Sequence, residues 1–531
     1  MYLQDDLRVT AHLTLNLGIR WSVDQPRKEG VNFTSNFDPS LPNPGAGGRL
    51  GAIQFASNCN GCNVRWAKTF YDDVAPRFGF AWSPGSKGTT AIRGGYGILY
   101  GPLYYADFGN SMNAGYAVTP NPVSRNGFSP AFNLNAGFPS YAPAPNLDPS
   151  IRNGGSVDYI TPGFGKPPMI QSWSFQIQQQ LAEDLILSVA YVGNKGQNLR
   201  TAAAFGSYNN FRLPDLALGQ NVLNANVGSA LATAAGVTSP FPSYTGSVGN
   251  ALRPYPQYTR FNTDCCLENE GMSTYHSLQA MLQRRFRGGL NLQLSYTWSK
   301  NLTNADSLQP GSNGGGGTYQ NPFDLYQEKS ISSQDIPHAF VGSFIYQLPI
   351  GRGRALLNRG GWVDAIVGGW QLGSILRYQS GQPLPFYCAS GVSGWDNCFR
   401  FNPVAGQPLY NPAINQPGFN PLTTPYLSNS YFVDPNTNPN APIRFGLLPR
   451  VTNFRMPMFL NEDVTLQKQF AITESVSLAV RADAFNIANR HIFGQPANLN
   501  PNPNNPSSNF GFITGTVDSP RAVQLQMSLR F

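Results

Sequence analysis

The 531-residue chain has a net charge of +8, yet only 12% of its residues are charged and a further 12% are aromatic. Soluble domains average about 25% charged residues; here Gly (55), Pro (44) and amide and hydroxyl side chains fill the deficit. A mean hydropathy of −0.27 and the lack of any apolar run of about 18 residues exclude a bundle of transmembrane helices, and the scattered Lys and Arg, with no basic block, argue against a nucleic-acid partner.

Period-two alternation, the mark of a sheet with one apolar and one polar face, begins at the N-terminus and recurs throughout. Strands are predicted near 1–9, 12–22, 74–83, 89–100, 168–182, 184–194, 272–286, 289–301, 335–349, 368–381, 459–470, 474–488 and 520–531. Leu13, Leu15, Leu17, Ile19 and Trp21 alternate with Thr14, Asn16, Gly18 and Arg20. Trp173, Phe175 and Ile177 oppose Ser174, Gln176 and Gln178, and Leu292, Leu294, Tyr296 and Trp298 oppose Gln293, Ser295 and Thr297. The last strand sets Val523, Leu525, Met527, Leu529 and Phe531 against Gln524, Gln526, Ser528 and Arg530.

Connection lengths alternate. Short turns are predicted at Thr10-Ala11, 84–88, Glu183, Arg287-Gly288 and 471–473, and long Gly/Pro/Asn-rich loops near 23–73, 101–167, 195–271, 302–334, 382–458 and 489–519. The connection 350–367 is intermediate, and Leu356-Leu357 with Trp362–Ile366 predicts a short interfacial helix. Strands of about ten residues, one face of Gln, Ser, Asn and Arg, and loops sorted by length describe an antiparallel transmembrane β-barrel of the bacterial outer membrane. Short turns then lie in the periplasm and the C-terminus is periplasmic, while the long loops are extracellular. Trp21, Trp82, Tyr100, Trp173, Tyr191, Trp298, Trp370 and Tyr378 fall near strand ends, where interfacial aromatic girdles belong, although aromatics favour strands in general. About thirteen strands is an odd number, whereas bacterial barrels are even-stranded. The N-terminus also has no export signal, so the expectation is a C-terminal barrel portion spanning 1–531, without plug or N-terminal domains.

Six cysteines fall in locally paired positions, Cys59/Cys62, Cys265/Cys266 and Cys388/Cys398. This pattern suits loop disulfides in an oxidising compartment. Cys59-Asn-Gly-Cys62 also fits a zinc or redox motif, but no second CxxC and no clustered His accompany it. No catalytic, cofactor-binding or metal-ligating set emerges. His12, His276, His338 and His491 are dispersed. The carboxylate pairs Asp5-Asp6, Asp72-Asp73 and Glu462-Asp463 are adjacent along strands, point to opposite faces, and are expected to be rim charges. Gly314–Gly317 reads as a loop tip. Arg20, Arg77, Arg93, Arg377, Arg481 and Arg530 share the polar parity of their strands. They line the lumen, either attracting anions or pairing with carboxylates of a plug or of neighbouring strands.

The segments Tyr2–Thr10, Leu13–Arg20, Ala75–Trp82, Ile92–Gly97, Val192–Gly196, Gly368–Gln371 running to Ser380–Pro383, Arg481–Asn489 and Pro520–Leu525 resemble, in order and spacing, the C-terminal barrel of TonB-dependent transporters of the Oar-like group. The resemblance implies a plugged barrel of about twenty-two strands that takes up a bulky nutrient such as an oligosaccharide, peptide or chelate, with no cofactor. It implies as partners outer-membrane lipid, an extracellular ligand held by the long loops, the barrel-assembly machinery reading Phe531, and TonB acting only through a plug that this sequence lacks. The loops' Tyr, Phe, Asn and Pro suit stacking and hydrogen bonding to sugar or peptide, though for any single residue an ordinary solvated or partly disordered loop is the simpler reading. Two other readings stay open: a surface adhesion or interaction protein anchored by the barrel, and a secreted all-β carbohydrate-binding protein.

Overall fold

A computed structural model describes residues 1–531 apart from 86–87, 106–107, 125, 142, 202–207, 263–267, 307–318, 474 and 504–507. Alternating residues build one antiparallel meander of thirteen long strands. They are β1 (Tyr2–Thr10), β2 (Leu13–Asp24), β3 (Phe70–Trp82), β4 (Thr90–Tyr100), β5 (Met169–Ala182), β6 (Leu185–Thr201) and β7 (Glu268–Arg287). The chain continues through β8 (Leu290–Thr303), β9 (His338–Gln347), β10 (Trp370–Gln379), β11 (Phe459–Ala471), β12 (Ser477–Phe485) and β13 (Ala522–Arg530). A two-residue strand, Ser330–Ile331, adds to β8. Each long strand pairs with its sequence neighbours; β1 and β13 are the two edges, and the barrel is not closed.

Every predicted strand is present, but two are much longer than predicted. The apolar alternation fades at Asn194, yet β6 runs on to Thr201 and pairs with β7 from Glu268. Beyond the lipid, backbone pairing no longer needs an apolar face, so the periodic signal stops before the ladder does. Tight turns also shift by a residue. Arg287 pairs with Leu290 across Gly288 and Gly289, whose φ values of 61° and 85° fit a two-residue hairpin loop that side chains with a Cβ resist. In 350–367 the helix spans Trp362–Val367, while Leu356-Leu357 lies outside it.

Register separates the faces cleanly. Trp21, Trp82, Tyr100, Trp173, Tyr191, Trp298, Trp370 and Tyr378 all share the apolar face. Trp82 and Trp370 stand at the short-turn end and the other six towards the long loops, which makes two belts. Glycine admits one of these rings: the Trp173 indole occupies the space a side chain at Gly193 would take.

The hydrophobic core lies in the long loops, not in the sheet. Loops expected to be ordinary solvated segments instead pack into a canopy with four apolar clusters. Phe37, Ile53, Phe55, Val157, Tyr159, Tyr258 and Phe261 join the β2–β3, β4–β5 and β6–β7 loops. A smaller cluster around Met112, Ile160 and Phe164 lies beside them. Phe211, Leu223, Val248, Trp395 and Phe399 bring the β6–β7 loop onto the β10–β11 loop. Leu384, Phe386, Leu427, Phe432, Phe510 and Ile513 tie the β10–β11 loop to the β12–β13 loop. Burial of such rings is worth about 1.5–3 kcal/mol each, enough to order segments that carry no regular period.

Candidate functional site

The polar face of the sheet and the canopy at its long-loop end form the candidate site. All six arginines singled out from the sequence lie on the polar face by register. Arg77 lies between Gly18 and Gly97, in contact distance of where their side chains would begin, so the two glycines leave room for its stem. Arg93 donates to the Gln178 Oε1 at 3.3 Å. Arg377 lies 5.1 Å over the Phe459 ring and donates to Gln379 at 3.0 Å. Arg481 pairs with Asp483 at 2.8 Å along its own strand, and Asp483 also accepts from the Thr465 hydroxyl at 2.5 Å. Arg20 stands opposite Tyr2 and Ala75, and Arg530 opposite Ser477. Among the described residues, Arg481 alone of the six has a carboxylate within ion-pair distance. A recess of about 360 Å³ opens on this face between Ser343, Ile375, Asp463, Arg481 and Asp483. Exposed Val341, Ile345 and Ile375 make the face less uniformly polar than the alternation of neighbouring strands implies.

The canopy is also held by buried ion pairs that sequence reading missed. The β8–β9 loop is joined to the β10–β11 loop by Asp306–Arg450 at 3.0 Å, Glu328–Arg400 at 2.5 Å and Asp335–Arg455 at 2.5 Å. The β6–β7 loop is joined to the β10–β11 loop by Arg253–Asp396, also at 2.5 Å. Glu328 is satisfied on both oxygens, since Oε1 accepts the Gln320 and Asn321 amides at 3.0 Å while Oε2 takes Arg400. Burial pulls the Arg400 pKa down and Glu328 opposes it. Burial raises the Asp396 carboxyl above its ordinary range, with Arg253 opposing, and likewise lifts the Tyr258 hydroxyl. The partners are distant in sequence and sit in aperiodic loops, so no local spacing announces them.

The other sequence candidates are placed as follows. Cys59 is bonded to Cys62 and Cys388 to Cys398, each bridge inside one loop; Cys265 and Cys266, like Gly314–Gly317, lie outside the described residues. His276 and His338 each share a hydrogen bond with a tyrosine of a neighbouring strand, Tyr191 at 2.7 Å and Tyr296 at 2.8 Å. Among the described residues no group of three His, Cys, Asp or Glu is placed to hold a metal. Asp73 is fully buried beside Asp24 and Asp72 and is not the rim charge expected of it. Asp6 accepts from Asn16 at 2.5 Å and Glu462 pairs with Arg490 at 2.8 Å. Phe531 lies beyond the last ladder and is 97% exposed.

The sequence matches the family described as outer membrane beta barrel domain over residues 1–524. The chain belongs to that family. This barrel domain is therefore a protein of the outer membrane, crossing it with strands; no helix among the described residues is long and apolar enough to do so. No curated protein is a match. Among solved structures it is similar to the outer membrane transporter YddB from Escherichia coli, at 12% identity and a TM-score of 0.40, covering 100% of this chain and 53% of that one. It is also similar to the siderophore receptor PiuA from Acinetobacter baumannii, at 11% identity and a TM-score of 0.38, covering 100% of this chain and 42% of that one. A third is the ferric-catecholate import receptor Fiu from Escherichia coli K12, at 11% identity and a TM-score of 0.36, with 100% and 44% covered. The barrel domain thus spans about half or less of the length of these structures.

Proposed function

We propose that this barrel domain is the wall and ligand-gathering canopy of a TonB-dependent transporter that takes up a bulky nutrient, an oligosaccharide, peptide or chelate. In this reading the short turns and the C-terminus face the periplasm, and the canopy faces the exterior. The observation that carries it is the joining of all six long loops into a cored cap at one end of a polar-faced sheet. A cap built this way presents a preformed surface to large ligands and limits free diffusion along the polar face. Coupling to TonB would act through a plug outside this sequence, and the lumen arginines would meet either that plug's carboxylates or an anionic ligand. The apolar parity of the whole meander speaks against the secreted reading.

The test is uptake by cells producing the protein, with labelled oligosaccharide, labelled peptide and ferric chelate offered in separate arms, with and without a protonophore. Energy-dependent accumulation of one class is the expected result. Surface binding without accumulation in every arm overturns transport and leaves the adhesion reading.

A further inference from the structure

The connection between β9 and β10 brings exposed apolar residues together with a concentration of positive charge at the short-turn end of the sheet. Trp362 is 76% exposed and Ile366 61%, and Leu356 and Leu357 are also exposed. A soluble connection of this length has no reason to show four large apolar side chains to water. Interleaved with them are exposed Arg352, Arg354 and Arg359. The segment's one carboxylate, Asp364, accepts the Arg352 backbone amide at 2.7 Å, and among the described residues none of the three guanidinium groups has a carboxylate within ion-pair distance.

Two wall residues decide on which side of the sheet the segment lies. Trp370 and Lys468 are cross-strand partners on the apolar face. The Lys468 ammonium donates to the carbonyls of Ile366 at 2.9 Å and Gly368 at 2.7 Å, closing the C-terminal end of helix Trp362–Val367. The Trp370 indole donates to the same Ile366 carbonyl at 3.0 Å, and Lys468 lies 4.9 Å over its ring. The helix is thus hung on the lipid-facing side of the wall, continuous with the aromatic belt at the short-turn end.

We propose that residues 350–367 form a lipid-surface anchor. Trp362, Ile366, Leu356 and Leu357 enter the acyl boundary, and Arg352, Arg354 and Arg359 bind the phosphodiester headgroups of an anionic phospholipid leaflet. Exposed aromatic and aliphatic side chains with Arg that no carboxylate pairs beside them are the composition that interfacial elements use, and each surface Arg strengthens attraction to an anionic leaflet by about fivefold. The anchor fixes the depth of the β9–β10 hairpin against the bilayer, a task the tight turns elsewhere, being only a few residues long, cannot perform.

The proposal rests on the wall being membrane-inserted but not on which leaflet it meets. The full chain is folded into vesicles whose two leaflets are alike, either phosphatidylcholine alone or with about a third phosphatidylglycerol, with brominated acyl chains as quencher. The Trp362 signal is the difference between wild type and Trp362→Phe. Its quenching should be about twofold stronger in the anionic vesicles and return to the neutral-vesicle level at about 1 M salt. The triple change Arg352→Gln, Arg354→Gln and Arg359→Gln should remove the difference, while the corresponding Lys triple retains it. Equal quenching in both vesicle types, or a Trp362 signal reached only by aqueous quencher, overturns the proposal. Trp21, Trp82, Trp173, Trp298 and Trp370, on the apolar face of the strands, report insertion of the wall: if they too escape the brominated lipid, the membrane reading itself fails and takes the anchor with it.

Discussion

Glu328 and Arg400 are 72 residues apart in sequence and meet at 2.5 Å in the canopy, with side chains 0% and 7% exposed. Neither has water to fall back on, so the pair fixes how the β8–β9 loop sits against the β10–β11 loop. Glu328→Gln keeps the shape but takes the carboxylate away from the buried Arg400 guanidinium. Breaking such a pair costs about 3–5 kcal/mol, and the loss should fall on the canopy, as faster proteolysis at 319–335 and 399–402 with the sheet intact. Unchanged protease resistance of both loops would show that the pair does not hold them.

Asp396 gives the canopy a pH dependence. Burial raises its carboxyl above the ordinary range, against the pull of Arg253. A carboxyl raised in the folded state holds its proton more tightly there than when unfolded. Its contribution therefore favours the packed loop most below the ordinary aspartate pKa and is lost as pH rises through the raised value. Amide protection around Phe211 and Trp395, corrected for intrinsic exchange, should increase between about pH 7 and about pH 4. Asp396→Asn should flatten that trend; the same slope in the variant would assign it to another group.

The Trp173 ring requires a glycine at position 193 on the next strand. Gly193→Leu should force the indole out of its place in the belt, at about 1–3 kcal/mol, read as a lower denaturant midpoint of the wall in detergent. An unshifted midpoint would mean that the ring is free to reorient.

Phe531 makes no ladder contact and is 97% exposed, so its removal takes little from the folded sheet. If the terminal aromatic is read during assembly, deleting it should lower the folded, outer-membrane fraction in cells while leaving the unfolding midpoint of the assembled protein unchanged. Wild-type assembly of the deletion would falsify that role.

What the sequence determined by itself is the wall. Alternation from Leu13 to Trp21 or from Val523 to Phe531 is a local, period-two signal, because successive residues of a strand must face opposite sides. Strand order, the two faces, the parity of the six arginines and the sorting of loops by length all follow from it. Only the tertiary structure decided the rest. The Phe432–Phe510 contact, the Arg450–Asp306 pair and the continuation of β6 to Thr201 join segments far apart in sequence, in stretches where no periodic face is demanded by lipid. The helix at Trp362–Val367 was legible as a short interfacial element, but its side of the wall was not, since that depends on Lys468 reaching back about a hundred residues to cap it. Local patterning encodes which face meets which solvent; it carries no record of which aperiodic loops meet each other.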